Sequence, residues 1–186
     1  PTFHGAVKHA IGPRREIGLR TVFNVLGPLT NPAGARAQVM GVYDGGLTEK
    51  LARVLNELGC ERAMIVHGLD GLDEISTFGK TKISELESGE IDTYTIKPED
   101  YNIPPTTPKE IAGMDAEGNA EVLRKTLQGE KGPARDVIQL NAAAAILVSG
   151  KAENLEEGLE LAGEAIDSGQ ALEKLNKLIE ITNEAD

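Results

Sequence analysis

The sequence predicts an α/β fold in which a mostly parallel sheet is flanked by helices, and three observations carry that expectation. Two short, apolar, β-rich runs, QVMGVY at residues 38–43 and RAMIVH at residues 62–67, enclose an amphipathic stretch at residues 47–58. Strand, helix and strand within about thirty residues form a βαβ unit, which implies parallel pairing through a right-handed crossover. A hairpin pattern and a run of amphipathic helices follow. With 186 residues the chain holds one domain with a real core, or a large part of a bigger protein.

Residues 5–18 read as a helix, with Ala6, Val7, Ala10, Ile11 and Ile17 near one face and an interruption at Gly12-Pro13. A second short helix at residues 21–26 is expected to stop at Gly27-Pro28. Proline locks φ and biases the residue before it away from the helical region, and Asn31-Pro32 repeats the effect. In the helix at 47–58, Leu51, Val54, Leu55 and Leu58 recur at helical spacing, with Thr48 near its start. Residues 82–86 and 91–96 alternate around Ser88-Gly89 and read as a hairpin.

Residues 97–114 carry prolines at 98, 104, 105 and 108 and read as a long irregular connection. Helices are expected at 118–127, 137–148, 155–167 and 171–181, with Asn154 and Ser168 as caps for the last two. The run Ala142 to Ala145 marks a place where helices approach closely.

A net charge of −11 argues against a nucleic-acid surface, which needs clustered Lys and Arg, and against binding to anionic membranes. No apolar run reaches the ~20 residues of a membrane helix, and no signal-peptide pattern opens the chain. A single cysteine, Cys60, excludes an internal disulfide framework and a cysteine-cluster metal site, and fits a reducing, cytoplasmic location. It reads as a small buried hydrophobe at a helix-to-strand junction. The three histidines, His4, His9 and His67, lack metal-ligand spacing, so no zinc site is expected.

Two stretches invite a chemical reading. In RREIGLRTVFNVLGPLTNP, Arg14 to Pro32, three arginines stand in an otherwise acidic chain and point to an anion brought from outside. Arg offers a planar fork matched to a carboxylate. Asn24 either braces the following turn or lines the same anion pocket; both readings stand. In HGLDGLDEIS, residues 67–76, Asp73 and Glu74 follow a strand directly. Ligands of α/β sheets bind beyond the carboxyl ends of strands. Magnesium takes one or two carboxylates together with substrate phosphates. A solvated acidic turn is the plainer alternative in a chain with 30 acidic residues. No Ser-His-Asp or Cys-His arrangement is present, and no catalytic nucleophile is assigned.

Taken in order, HGAVKHAIGPRREIG, RTVFNVLGPLTNP, HGLDGLDEIS and GPARDVIQLNAAAAIL (residues 132–147) closely resemble the anthranilate phosphoribosyltransferase family of tryptophan biosynthesis. The resemblance covers essentially the whole chain but only the latter part of the family's fold. It implies the large C-terminal α/β domain of the nucleoside phosphorylase/phosphoribosyltransferase class, without the N-terminal helical domain and first strands. The family's glycine-rich GTGGD-type loop and KHG-type motif, which hold phosphoribosyl pyrophosphate, do not occur here, and the chain opens at Pro1 without a methionine. A single incomplete α/β domain over residues 1–186, a fragment of a larger two-domain enzyme, is the expectation.

The resemblance further implies transfer of a phosphoribosyl group to the amino nitrogen of anthranilate, with release of pyrophosphate and with Mg2+ as cofactor. Arg14 would contact the anthranilate carboxylate and His4 would help line its channel. The helix-ending Gly27-Pro28 would lie against the ring, with Asn24 nearby, and Asp73 and Glu74 would hold magnesium. Where many members carry His-Pro-Ala-Met, this chain has His4-Gly5-Ala6-Val7, so a smaller Val7 forms that part of the wall. The implied partners are anthranilate, phosphoribosyl pyrophosphate, the N-terminal part of the same enzyme and, when complete, a second copy in a homodimer. Two alternatives stand beside this: a pyrimidine nucleoside phosphorylase-like or paralogous transferase, and a non-catalytic interaction domain.

Overall fold

In the computed structural model, which describes residues 25–184 together with Gly12 and Glu16, a mixed four-stranded sheet lies between two helical layers. The sheet runs in chain order, β1 (Ala37–Gly41), β2 (Arg62–Gly68), β3 (Thr81–Glu87) and β4 (Glu90–Ile96). The helices are α1 (Leu26–Leu29), α2 (Thr48–Glu57), α3 (Ala116–Leu127), α4 (Pro133–Val148), α5 (Leu155–Asp167) and α6 (Gln170–Glu184).

The βαβ unit forms as expected. β1 and β2 pair in parallel, Val39 opposite Met64, with α2 as the crossover. β2–β3 and β3–β4 are antiparallel, the latter closed by Ser88 and Gly89, both at positive φ. The α/β class therefore holds, while the described sheet is mixed rather than mostly parallel. For β3–β4 the reason is local, since a two-residue turn can only return the chain antiparallel, whereas β2 and β3 are joined by the loop 69–80, which carries no crossover helix.

The period-2 alternation of β2 divides the core. Ala63 and Ile65 face α2, packing with Met40, Val42, Leu51, Ala52, Leu55, Cys60 and Leu86. Met64 and Val66 face the opposite layer, packing with Ile75, Ile83, Leu140, Ala143, Ala144, Val148 and Leu155. Cys60 is buried at the α2–β2 junction, where its Sγ contacts the carbonyls of Arg36 and Arg62. The alanine run of α4 meets α5 closely: a Cβ on Gly158 would stand 2.7 Å from the Ala143 carbonyl.

Several boundaries differ from expectation. Gly27-Pro28 lies inside α1 and does not end a helix. Proline is tolerated there because a first-turn N–H has no intrahelical partner to lose. Helix α3 begins at Ala116, since the Asp115 carboxylate caps it by accepting from the Gly118 N–H. Helix α4 begins at Pro133, a first-turn proline again. Asn154 caps α5, accepting from the Glu157 N–H, whereas Ser168 ends α5 and the chain turns into α6 through Gly169 at φ 80°. Within the expected irregular connection, Pro98–Tyr101 form a short 3-10 turn.

The helix expected at residues 5–18 lies almost wholly outside the described residues, of which Gly12 and Glu16 are helical. Most of the helix expected at 21–26 lies outside them as well.

Candidate functional site

The loop joining β2 to β3, residues 69–80, is built by a carboxylate, two glycines and a serine. Asp70 Oδ1 accepts from the Leu72 N–H, and Asp70 Oδ2 accepts from the Ser76 hydroxyl. Ser76 Oγ accepts in turn from the N–H groups of Phe78 and Gly79. A side chain at 68 or 79 would displace the same carboxylate, since a Cβ at either would stand 2.7 Å from an Asp70 oxygen. The chain is thereby folded back over the ends of the strands.

Asp73 and Glu74 ride on this loop. A Cβ built on Gly41, the last residue of β1, would fall 1.6 Å from the Asp73 carbonyl oxygen, so the Asp73 backbone rests directly on the end of that strand. The acidic pair thus sits at the carboxyl ends of β1 and β2, where the strand-exit argument places it. From the other side Asn141 of α4 grips Ile75: its Oδ1 accepts from the Ile75 N–H at 2.9 Å, and its Nδ2 donates to the Ile75 carbonyl at 2.9 Å.

Asp73 is exposed and Glu74 is partly buried. Burial, and then the neighbouring charge of Asp73, push the Glu74 carboxyl above its usual range. Among the described residues neither carboxylate takes part in a hydrogen bond or an ion pair. Two adjacent hard oxygen donors whose charge no described residue balances fit a divalent cation such as magnesium. Among the described residues no group of three or more His, Cys, Asp and Glu converges as a cage.

Other residues singled out from sequence fall elsewhere. Gly27 and Pro28 are exposed, and Pro28 borders a recess with Arg36, Gln38, Leu58 and Cys60 at the amino ends of β1 and β2. The structure does not bring them to the acidic loop. His67 closes β2, with Nδ1 2.8 Å from the Val42 carbonyl. Arg14, His4, Val7 and Asn24 lie outside the described residues. A separate cleft of about 590 Å³, bordered by Arg62, Glu85, Tyr94, Tyr101 and Glu156, contains none of the candidate site residues named from sequence.

Sequence reasoning passed over Gly41, Asp70 and Asn141. Gly41 and Asp70 carry little signal, being a glycine in a strand and one acid among many. Asn141 shares the otherwise apolar run IQLNAAAAIL only with Gln139, and a polar side chain beside that alanine stretch was available as a clue.

Residues 1–172 match the family described as Glycosyl transferase family, a/b domain. The chain is 52% identical over 183 residues to the anthranilate phosphoribosyltransferase of Acetivibrio thermocellus, covering 98% of this chain and 53% of that protein. The anthranilate phosphoribosyltransferase structure from Thermus thermophilus superposes with a TM-score of 0.86 at 39% identity, over 94% of this chain and 51% of that one. The Saccharomyces cerevisiae enzyme in complex with PRPP and Mg superposes at 0.84 with 31% identity, over 93% and 50% of the two chains. The same yeast enzyme in complex with 4-fluoroanthranilate also gives 0.84, at 30% identity over 95% and 52%. The chain spans about half the length of the curated relatives it matches.

Proposed function

This chain belongs to the glycosyl transferase family through its a/b domain, and from that premise we propose that it serves phosphoribosyl transfer from phosphoribosyl pyrophosphate to anthranilate in tryptophan biosynthesis. The chain carries the acceptor side and one magnesium site. The observation that supports this most is the placement of Asp73 and Glu74 at the carboxyl ends of β1 and β2, held from both flanks and engaged by no other described side chain. Relatives named for this reaction, one of them in separate complexes with PRPP and Mg and with 4-fluoroanthranilate, support the substrate assignment.

In the reaction the anomeric carbon loses its bond to pyrophosphate oxygen and gains one to the amino nitrogen, whose proton passes to water or to the departing pyrophosphate. Positive charge develops on the sugar and negative charge accumulates on the leaving group. Magnesium, when bound, neutralises part of that leaving-group charge. Asp73 and Glu74 would hold the cation, presented by a loop anchored on Gly41 and by Asn141. Arg14 pairs its guanidinium with the acceptor carboxylate, and His4, Val7 and Asn24 form the wall around it. Gly27 and Pro28, which the structure holds beside the amino ends of β1 and β2 and away from the acidic loop, are left out of that wall. None of these steps requires a nucleophilic side chain.

The family resemblance puts the donor-holding loop in the half of the relatives that this chain does not span, and turnover is expected to need that half. A cytoplasmic location, consistent with the lone buried Cys60, and a homodimer formed through the helical domain complete the proposal. No described helix is long and apolar enough to cross a membrane.

Anthranilate is fluorescent, and titration of the chain with anthranilate and with pyrimidines, in the presence of Mg2+ and pyrophosphate, tests the assignment. Preferential binding of anthranilate, weakened by Arg14→Ala, is expected. Preferential binding of pyrimidines, or an Arg14→Ala variant with unchanged affinity, would contradict it.

A further inference from the structure

We propose that Asn141 is a positioning residue for Asp73 and Glu74, setting from α4 the place of the loop that presents the two carboxylates. The proposal rests on the reading of that pair as a cation holder. Ile75 is fully buried, so its peptide groups cannot be left to solvent. Its N–H and its C=O are both engaged by the single Asn141 side-chain amide, 66 residues away in sequence, each at 2.9 Å. The amide is itself held, because Nδ2 also donates to the Val137 carbonyl of the preceding turn at 3.0 Å.

Among side chains of this length only an amide offers a donor and an acceptor side by side. An aspartate would keep the acceptor and lose the donor, and an alanine would strip both. Asn is also a poorer helix former than the alanines that follow it, so local preference does not explain its presence in α4. Glu74 is the next residue to the one gripped, and adjacent Cα atoms are a fixed ~3.8 Å apart. With the Asp73 backbone seated on Gly41, the acidic pair is located from both sides. A cation that needs two carboxylates in one geometry then meets them already placed.

The test uses Mn2+ as probe in the presence of inorganic pyrophosphate, with free Mn2+ read by electron paramagnetic resonance on the 186-residue chain. Amide hydrogen exchange is read on the same samples. Asn141→Ala is expected to weaken Mn2+ binding about tenfold or more, as loss of residues that orient metal ligands does. It is also expected to speed exchange at Ile75 while the β2–β3 ladder stays protected. Asn141→Asp should speed exchange at Ile75 less and still weaken binding, and it carries the test if the alanine variant does not fold.

Gln139→Ala, which removes a comparable α4 amide bond to the Leu159 carbonyl at 2.9 Å, should leave both readings unchanged. Asn141 variants that bind Mn2+ like the parent, while Asp73→Asn/Glu74→Gln does not, would overturn the positioning role and leave the cation reading standing. Parent-like exchange at Ile75 in both Asn141 variants would overturn it too. A parent chain that binds no Mn2+, or a double carboxylate variant that binds like the parent, would bring down the cation reading and the proposal together.

Discussion

Gly41 and Asp73 meet backbone to backbone: the Asp73 carbonyl oxygen occupies the space, 1.6 Å from an ideal Cβ, that any side chain at 41 would need. A strand glycine usually weakens its sheet, and here it lets a loop rest on the strand end. Gly41→Ala must therefore move backbone on one side or the other. A loss of about 1–3 kcal/mol in urea unfolding is expected, the ordinary cost of overpacking. Mn2+ binding should weaken with it; a variant of unchanged stability and affinity would show that the loop does not rest there.

Arg135 and Asp167 join α4 to the end of α5. The guanidinium, 5% exposed, donates from Nη1 to Asp167 Oδ1 at 2.6 Å and from Nη2 to Oδ2 at 2.9 Å. These hydrogen bonds from Arg135 hold the Asp167 carboxyl down at about 2. An unfolded aspartate titrates near ~3.9, so this contribution is complete above about pH 4 and is lost as the pH falls through the folded value. Asp167→Asn should be less stable than the parent at neutral pH, with the deficit shrinking steadily on acidification. Because the carboxylate is 53% exposed, added salt should reduce the deficit. A deficit independent of pH would refute the pairing as its source.

Glu74 behaves in the opposite sense. Its raised folded pKa means that the folded chain holds this proton more tightly than the unfolded chain does. The cost of ionising it is absent below the unfolded value of ~4.3 and complete above the folded one. Glu74→Gln should therefore raise the melting temperature at neutral pH without divalent cation, and the gain should vanish on acidification. Mg2+ with pyrophosphate should stabilise the parent more than the variant. A variant less stable than the parent in cation-free neutral buffer would contradict the account.

Much of the fold was legible because it follows from periodicity. The βαβ unit, the hairpin at Ser88-Gly89, the span of α5 and its Asn154 cap are all local patterns that tertiary packing did not override. Boundaries failed where one residue has two local uses. Pro28 reads as a helix breaker and the helix after Pro133 reads as starting only at 137, yet both prolines sit in first turns where a missing N–H costs nothing. The location of Asp73 and Glu74 was legible from the strand before them. What holds them there was not, because Gly41 and Asn141 act across 32 and 66 residues of sequence, through contacts that no spacing rule encodes.

The central claim is that these residues supply the acceptor and cation side of phosphoribosyl transfer to anthranilate. Its most direct measurement grafts this chain in place of the matching part of the Acetivibrio thermocellus relative and follows the loss of anthranilate fluorescence with phosphoribosyl pyrophosphate and Mg2+. The account predicts turnover by the graft, its near-complete loss in Asp73→Asn/Glu74→Gln, and a raised KM for anthranilate in Arg14→Ala. A folded graft that consumes no anthranilate, or one whose turnover is indifferent to the two carboxylates, would contradict it.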